Sequence, residues 1–327
     1  MSDEEAKGLL LRDTRNSAVI CRYVTGEDLN SLPHVNGSRW VINFGDMSEG
    51  DARAFAEPFR IIEDRVKPYR EGLTRQVHEA CFWKFWDRRE EFFSRCSRLQ
   101  RVIVMSKLSK YRAVTFGPVG HIYSEKVKVF ASDDAAMFGI LQSQLHDLWS
   151  LGEGATTGET PAYSGTKCFD TFALPLEWTF GSIRGPSAEC YEQREAYRVA
   201  HALGLTDFYN RFHDPDERDP DILKLRDLHI AMDRSVLDAY SWSDISSNCE
   251  FLLDYEIDEE QWGSKKKPWG YRWPDEVRDE VLARLLELNA KRAKEETRSG
   301  AAVAKKGAKK AATKRAPRGS ETEDLFS

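Results

Sequence analysis

The chain has few of the features that announce a catalytic or membrane protein. Its six cysteines (Cys21, Cys81, Cys96, Cys168, Cys190 and Cys249) lie far apart, with no Cys-x-x-Cys pair and no His/Cys ligand spacing. That pattern predicts reduced thiols, an intracellular protein and no structural zinc. No apolar run approaches the roughly 18 residues that span a bilayer, and the acidic start MSDEEAKG has no apolar core of a secretion signal. A glycine-rich phosphate loop of the Walker or Rossmann kind is missing, as are a Gly-x-Ser-x-Gly elbow and a His-Glu-x-x-His pair. A carboxylate nuclease site wants spaced acids followed by acid-x-lysine. The run Glu125-Lys126-Val127-Lys128 puts its lysine out of place, and no upstream acid pairs with it.

What is present fits a folded, soluble chain. Of 327 residues, 41% are hydrophobic and 31% charged, enough for a core under a polar surface. Mean hydropathy is negative. The net charge of −6 conceals segregation: basic residues outnumber acidic ones between Arg53 and Arg112, and Asp214 to Glu260 is acidic. Ala301 to Gly319 holds seven basic residues and no acid. Such a stretch buries no core and is expected to be disordered. It is either a solubilising tail or a non-specific phosphate binder. Local patches matter more to a polyanionic partner than the total.

Arg101 to Asp134 organises the chain. Val102 to Met105 and Ala113 to Phe116 are short β-branched runs, and Val127 and Val129 alternate with Lys126 and Lys128. These predict three strands in an antiparallel meander. The connection Ser106 to Arg112 carries lysines, serines, a tyrosine and an arginine, a set suited to phosphates and base edges. An ordinary solvated hairpin loop has the same composition. Upstream, Ser17 to Tyr23 and Trp40 to Phe44 read as strands. Ser48 with Asp51 reads as a helix start. Phe59 to Val66 reads as a helix stopped by Pro68. Arg70 to Leu99 reads as one long aromatic helix, either core or a basic-aromatic surface along nucleic acid.

Downstream, Asp133 or Asp134 caps a helix bearing Phe138, Leu141, Leu145 and Leu148, with His146 near its end. Gly152 to Ser164 reads as a long polar loop, and Cys168 to Pro175 as a strand. Glu189 to Leu203 is helical with Gly204 as its C-cap. Asp219-Pro220 opens a helix over Asp221 to Tyr240, and Trp273 to Ala290 is the last. His213, Asp214 and Asp216 form a turn that would suit either a divalent metal or a capping role. His229 and Asp233, one helical turn apart, are expected to pair.

The segments WVINFGD (Trp40 to Asp46), ARAFAEPFRIIEDRVK (Ala52 to Lys67), Arg101 to Tyr111 and VGHIYSEKV (Val119 to Val127) carry a family resemblance. CFDTFALP (Cys168 to Pro175), GLTDFYNRFHDP (Gly204 to Pro215), Asp219 to Tyr240 and Trp273 to Asn289 continue it. Over about Asn16 to Glu296 the chain resembles the C-terminal part of large bacterial class I SAM-dependent DNA methyltransferases. These belong to single-chain type II restriction–modification and phage-defence systems.

The resemblance implies an α+β fold. An antiparallel-sheet target recognition domain with packed helices would span 40–178, after a lead-in segment 1–39 that is the remnant of a junction to a methyltransferase core. An all-helical C-terminal domain (179–296) and a disordered basic tail (297–327) would follow. It implies sequence-specific binding of double-stranded DNA in the cytoplasm, at the nucleoid, presenting a target adenine for N6 methylation. The family's methyl-donor and Asn-Pro-Pro-Tyr motifs do not occur in this sequence. SAM and the catalytic residues are therefore expected on another domain or chain, and this one as a separate specificity subunit or the product of a split or truncated gene. The alternative is a remnant binding nucleic acid through its tail.

The family pattern places base reading on Thr156, Thr157, Glu159, Thr160 and Tyr163. Phosphate contacts fall to Lys107, Ser109, Lys110, Tyr111, Arg112 and Lys167. Asp324, Leu325 and Phe326 resemble a short docking peptide of the kind that binds a sliding clamp. No metal or membrane partner is expected.

Overall fold

A computed structural model describes residues 1–72, 81–85, 89–153, 155–157, 160–254 and 267–298. The first elements are α1 (Asp3–Arg12), β1 (Ile20–Val24), α2 (Gly26–Ser31) and β2 (Arg39–Ile42). Three short helices follow: α3 (Glu49–Arg53), α4 (Ala56–Arg65) and α5 (Lys67–Glu71). Ser48 caps α3 as its sequence predicts, its Oγ accepting from Asp51 N at 3.2 Å. Phe44, Phe59 and Phe82 bury against Leu9, Ile20 and Ile42 in a first core. The expected long helix over Arg70 to Leu99 is not continuous. Residues 81–84 form a turn, and Arg89 takes a left-handed φ of 45° before α6 (Glu90–Cys96). Phe82 and Trp83 pack edge to face at 5.5 Å. The aromatic stretch thus supplies core at its start, while Phe85 and Phe93 stay exposed.

The central sheet is β3 (Arg101–Ser106), β4 (Val114–Pro118) and β6 (Val127–Phe130), all antiparallel with β3 in the middle. A meander would have placed β4 in the middle. Instead β5 (Ile122–Tyr123) leaves to pair parallel with β1, and the chain returns to the other edge of β3. The parallel β1–β5 pair also departs from an all-antiparallel expectation. Val102 and Val104 face one core with Phe208, Phe212 and Leu225. Ile103 and Met105 face another with Phe138 and Cys190. A strand buried on both faces has to be continuously apolar, as this one is.

Asp134 caps α7 (Ala135–Gln142), accepting from Ala136 N at 2.9 Å. The expected single helix breaks at Ser143, and α8 (Gln144–Glu153) restarts because buried Asp233 accepts from both Gln144 N and Gln144 Nε2 at 3.0 Å. The polar loop instead contains a hairpin, β7 (Ala155–Thr157) with β8 (Thr160–Ala162). The expected strand at Cys168 to Pro175 is a π-helical turn at Gly165–Phe169 followed by irregular chain. Cys168 and Phe172, four apart, both point inward, a spacing that a short apolar run cannot distinguish from a strand.

Helices α9 (Phe180–Ala200), α10 (Leu205–Phe212), α11 (Pro220–Ala239) and α12 (Asp275–Arg298) cover the sheet and its flank. Three of the cores draw residues from both sides of position 178. The C-terminal half is not all helical: β9 (Glu250–Leu253) pairs antiparallel with β10 (Trp269–Arg272). Helix α9 starts earlier than its sequence pattern and runs through Pro186. It closes on α7 so tightly that a Cβ on Gly139 would meet Ser187 Oγ at 1.8 Å. Asp219 caps α11 and Pro220 follows at its first position, as expected.

Gly204 is the N-cap of α10 rather than the C-cap of α9, and Ala202 takes the left-handed φ of 53° there. Its role is close approach, because a Cβ would stand 2.1 Å from Asn30 O and 2.6 Å from Ser31 backbone. Gly204→Ala is expected to cost about 2–3 kcal/mol, since backbone must move to admit it. The urea midpoint measures this.

His229 and Asp233 do not pair. Asp233 bonds Gln144, and His229 packs on Phe212 with ring centroids 4.7 Å apart. His213 turns its Nδ1 to Tyr271 N, and no metal-binding group of His, Cys, Asp or Glu occurs among the described residues. All six cysteines are free. No described helix is long and apolar enough to cross a membrane.

Candidate nucleic-acid interface

The loop after β3 is held on both sides by backbone. Lys107 N donates to Lys126 O at 2.6 Å, and Tyr163 N donates to Lys107 O at 2.9 Å. Leu108 and Ala162 form an antiparallel bridge, so the β7–β8 hairpin is stitched to the loop and through it to the central sheet. Ser106 Oγ closes the turn onto Leu108 O at 2.7 Å. The basic loop and the polar loop, 40 or more residues apart in sequence, therefore form one surface.

Within that surface the predicted residues separate into two groups. Lys110 and Lys167 are exposed and Lys107 is half-buried. Ser109, Tyr111 and Arg112 are used inward. Ser109 Oγ reaches Asn30 Oδ1 at 3.3 Å, and Tyr111 donates to Asn210 Oδ1 at 2.9 Å while its ring stacks on His213 at 5.0 Å. The Arg112 side chain is 8% exposed and meets Asp147 at 3.3 Å. Tyr163 is likewise structural: at 2% exposure, with its hydroxyl 3.1 Å from His146 Nε2, it offers no edge to a base. The aromatic and guanidinium groups that suit tyrosine and arginine to nucleic acid also build interiors, as they do here. Thr156, Thr157 and Thr160 lie on the hairpin strands, with Thr157 opposite Thr160 and Thr156 opposite Pro161. Glu159 and the peptide Asp324, Leu325 and Phe326 lie outside the described residues.

Arg89, Lys126 and Lys128, none of them among the sequence-predicted contacts, complete the patch. Lys128, on the edge strand β6, is pushed below the usual lysine range, first by burial and then by Lys107 and Arg89. The two neighbours acting on Lys128 bring three positive charges together from three segments beside the hairpin. Lys126, exposed just before β6, adds a fourth. The alternation Lys126-x-Lys128 next to a basic loop was the available signal. A converging positive cluster is costly in isolation and favours a polyanion.

The family model of the MmeI target recognition domain matches residues 1–176. No curated protein matches the chain. Among solved structures, the type IIL restriction–modification enzyme MmeI in complex with DNA is similar at a TM-score of 0.61 and 18% identity. The likeness covers 89% of this chain and 33% of that one, so the chain spans about a third of that enzyme. At this identity the likeness is one of fold, and it extends past the matched region into the helical half. The family match takes in the whole surface up to and beyond the hairpin, and on it the chain belongs to the MmeI target recognition domain family.

Proposed function

We propose that this chain is the DNA sequence-specificity part of a restriction–modification enzyme. The observation that carries the reading is the β7–β8 hairpin fixed beside Lys107, Lys126, Lys128 and Arg89 within the family-matched region. A two-stranded ribbon is one of the two element types the major groove of B-DNA admits. The lysines would hold backbone phosphates and set the register, and hairpin side chains would read base edges. Thr156, Thr157, Glu159 and Thr160 are the proposed readers, with glutamate accepting from cytosine and threonine meeting the thymine methyl. Lys110 and Lys167 extend the phosphate track.

In this reading the chain presents an adenine to a SAM-dependent methyltransferase domain carried elsewhere. SAM does not fit the described residues. Among the described residues, the clefts beside Trp40 and beside Tyr111 both lack the glycine-rich strand–turn–helix and ribose-binding acid of a Rossmann-type nucleoside site. The purified chain is expected to transfer no methyl group.

Binding to a pool of randomised duplexes tests the proposal. Selective enrichment of one short site is expected. Thr156→Ala and Thr157→Ala should relax the preference by about 1–3 kcal/mol per lost base contact. Lys107→Ala or Lys128→Ala should weaken all duplexes alike and lower the salt slope by about one. Removing Ala301 to Ser327 should leave selectivity intact. If that truncation abolishes all binding, the chain is a remnant that touches nucleic acid only through its tail.

A further inference from the structure

Helix α8 ends at Glu153 and β7 begins at Ala155, so one foot of the β7–β8 hairpin continues a helix. The other foot is Tyr163, the residue directly after β8. Tyr163 is held from three directions. Its amide donates to Lys107 O at 2.9 Å, beside the Leu108–Ala162 bridge. Its ring packs edge to face on Phe130 of β6, with centroids 6.1 Å apart, two residues beyond Lys128. Its hydroxyl lies 3.1 Å from Nε2 of His146 on α8. Amide, ring and hydroxyl thus reach the loop after β3, the strand bearing Lys128 and the helix that launches the hairpin.

The direction of the hydroxyl bond follows from the imidazole's other partner. Burial pushes His146 down to about 3, against a backbone hydrogen bond at Leu141 that favours the proton. A backbone group that favours the ring's proton is a carbonyl acceptor, so Nδ1 carries the hydrogen and Nε2 is left to accept. Tyr163 therefore donates. Phe172 fixes the imidazole further, edge to face at 4.9 Å. The bond joins residues 17 apart and closes the stretch that contains the whole hairpin. Both side chains are buried, where a bond left unmade is costly. A side chain that reads a base edge must stand at a fixed place relative to the groups holding phosphates, and that place is kept by packing and hydrogen bonds behind it. We propose that the Tyr163–His146 bond is a clasp that keeps the hairpin in register with Lys107 and Lys128, which makes both residues positioning residues for sequence selection. The clasp rests on the reading of the hairpin as the DNA-reading element, and it gives selectivity to two residues that touch no DNA.

Tyr163→Phe is the test, because the ring keeps its place on Phe130 and only the hydroxyl goes. Three quantities are measured on the full chain: the ratio of affinities for the enriched duplex and a scrambled one, the slope of log K on log salt, and amide exchange. The ratio should fall about three- to tenfold, the worth of one hydrogen bond, while the salt slope, set by the phosphates held, stays the same. Exchange at the amides of positions 162 and 163 should quicken by a similar factor, with Met232 and Val236 in the α11 core unchanged. In a His146→Phe background Tyr163→Phe should add nothing. His146→Gln, whose side-chain carbonyl can accept the hydroxyl, should keep part of the ratio that His146→Phe loses. A loss of global stability alone scales both affinities alike and leaves their ratio intact. An unchanged ratio in Tyr163→Phe, with the wild type selective, therefore overturns the clasp and spares the reading of the hairpin. A wild type that prefers no duplex fails that reading instead. Amide exchange then decides the clasp, and equal exchange in wild type and Tyr163→Phe overturns it.

Discussion

Arg194→Met is expected to lower stability by about 3–5 kcal/mol, a large share of what a domain has. Arg194 is completely buried on α9. Its guanidinium donates to Val114 O on β4 at 2.7 Å, to Gln142 Oε1 on α7 at 3.1 Å and to Tyr209 Oη on α10 at 3.1 Å. Glu195 balances the charge at 3.0 Å and is shared with Arg198, itself buried and bonded to Leu32 O. One planar fork therefore ties the sheet to three helices. Methionine fills similar volume but strands the Val114 carbonyl and the Tyr209 hydroxyl in a dry interior, at about 1–3 kcal/mol each. Lysine cannot reach three acceptors in three directions, so Arg194→Lys should recover little. Urea denaturation of the two variants decides it. A loss below about 1 kcal/mol for methionine would mean that the sheet and helices hold together by apolar packing alone.

Much of this architecture was legible wherever the cause is local. Ser48, Asp134 and Asp219 cap helices through bonds to residues two or three positions on, so their signal lies within a few residues. β3 was legible because both its faces are buried. The break at Ser143 was not, since the stripe from Phe138 to Leu148 runs straight through it and the group that restarts α8, Asp233, is 89 residues away. The β9–β10 hairpin was missed because neither strand alternates cleanly: Phe251, Leu252 and Leu253 are consecutive apolar residues and all are half-buried. The candidate interface shows the same division. The basic loop was visible as composition, but its partnership with the polar loop rests on the Leu108–Ala162 bridge and the Tyr163–Lys107 hydrogen bond. Non-local contacts likewise turn Tyr163, bonded to His146, and Arg112, paired with Asp147, into supports. Arg89 joins Lys107 and Lys128 only through tertiary folding.

Acid should unfold this protein steeply between pH 6.5 and 4. Burial pushes His146, His213 and His229 each down to about 3, so the folded chain holds all three neutral while the unfolded chain protonates them near pH 6.5. A depressed histidine contributes stability that is present above its unfolded pKa and is lost as pH falls below it. Asp233 runs the other way. Burial raises it to about 7, so it stays protonated in the fold at pH 5, and its contribution is lost as pH rises toward neutrality. Between pH 6 and 4, unfolding therefore takes up three protons at the histidines and releases one from Asp233. The net uptake of two corresponds to about 2.7 kcal/mol lost per pH unit on acidification, with the greatest stability between pH 6.5 and 7. Two substitutions separate the opposing groups. His229 Nε2 finds no hydrogen-bond partner among the described residues, so His229→Phe removes a titrating site without breaking a bond and should halve the slope to about 1.4 kcal/mol per unit. Asp233→Asn keeps an acceptor for Gln144 N but no longer releases a proton, and should steepen the slope to about 4 kcal/mol per unit. Urea midpoints at pH 5, 6 and 7 measure all three. A wild-type slope near zero, or one that Asp233→Asn flattens, would show that these groups do not govern the acid limb.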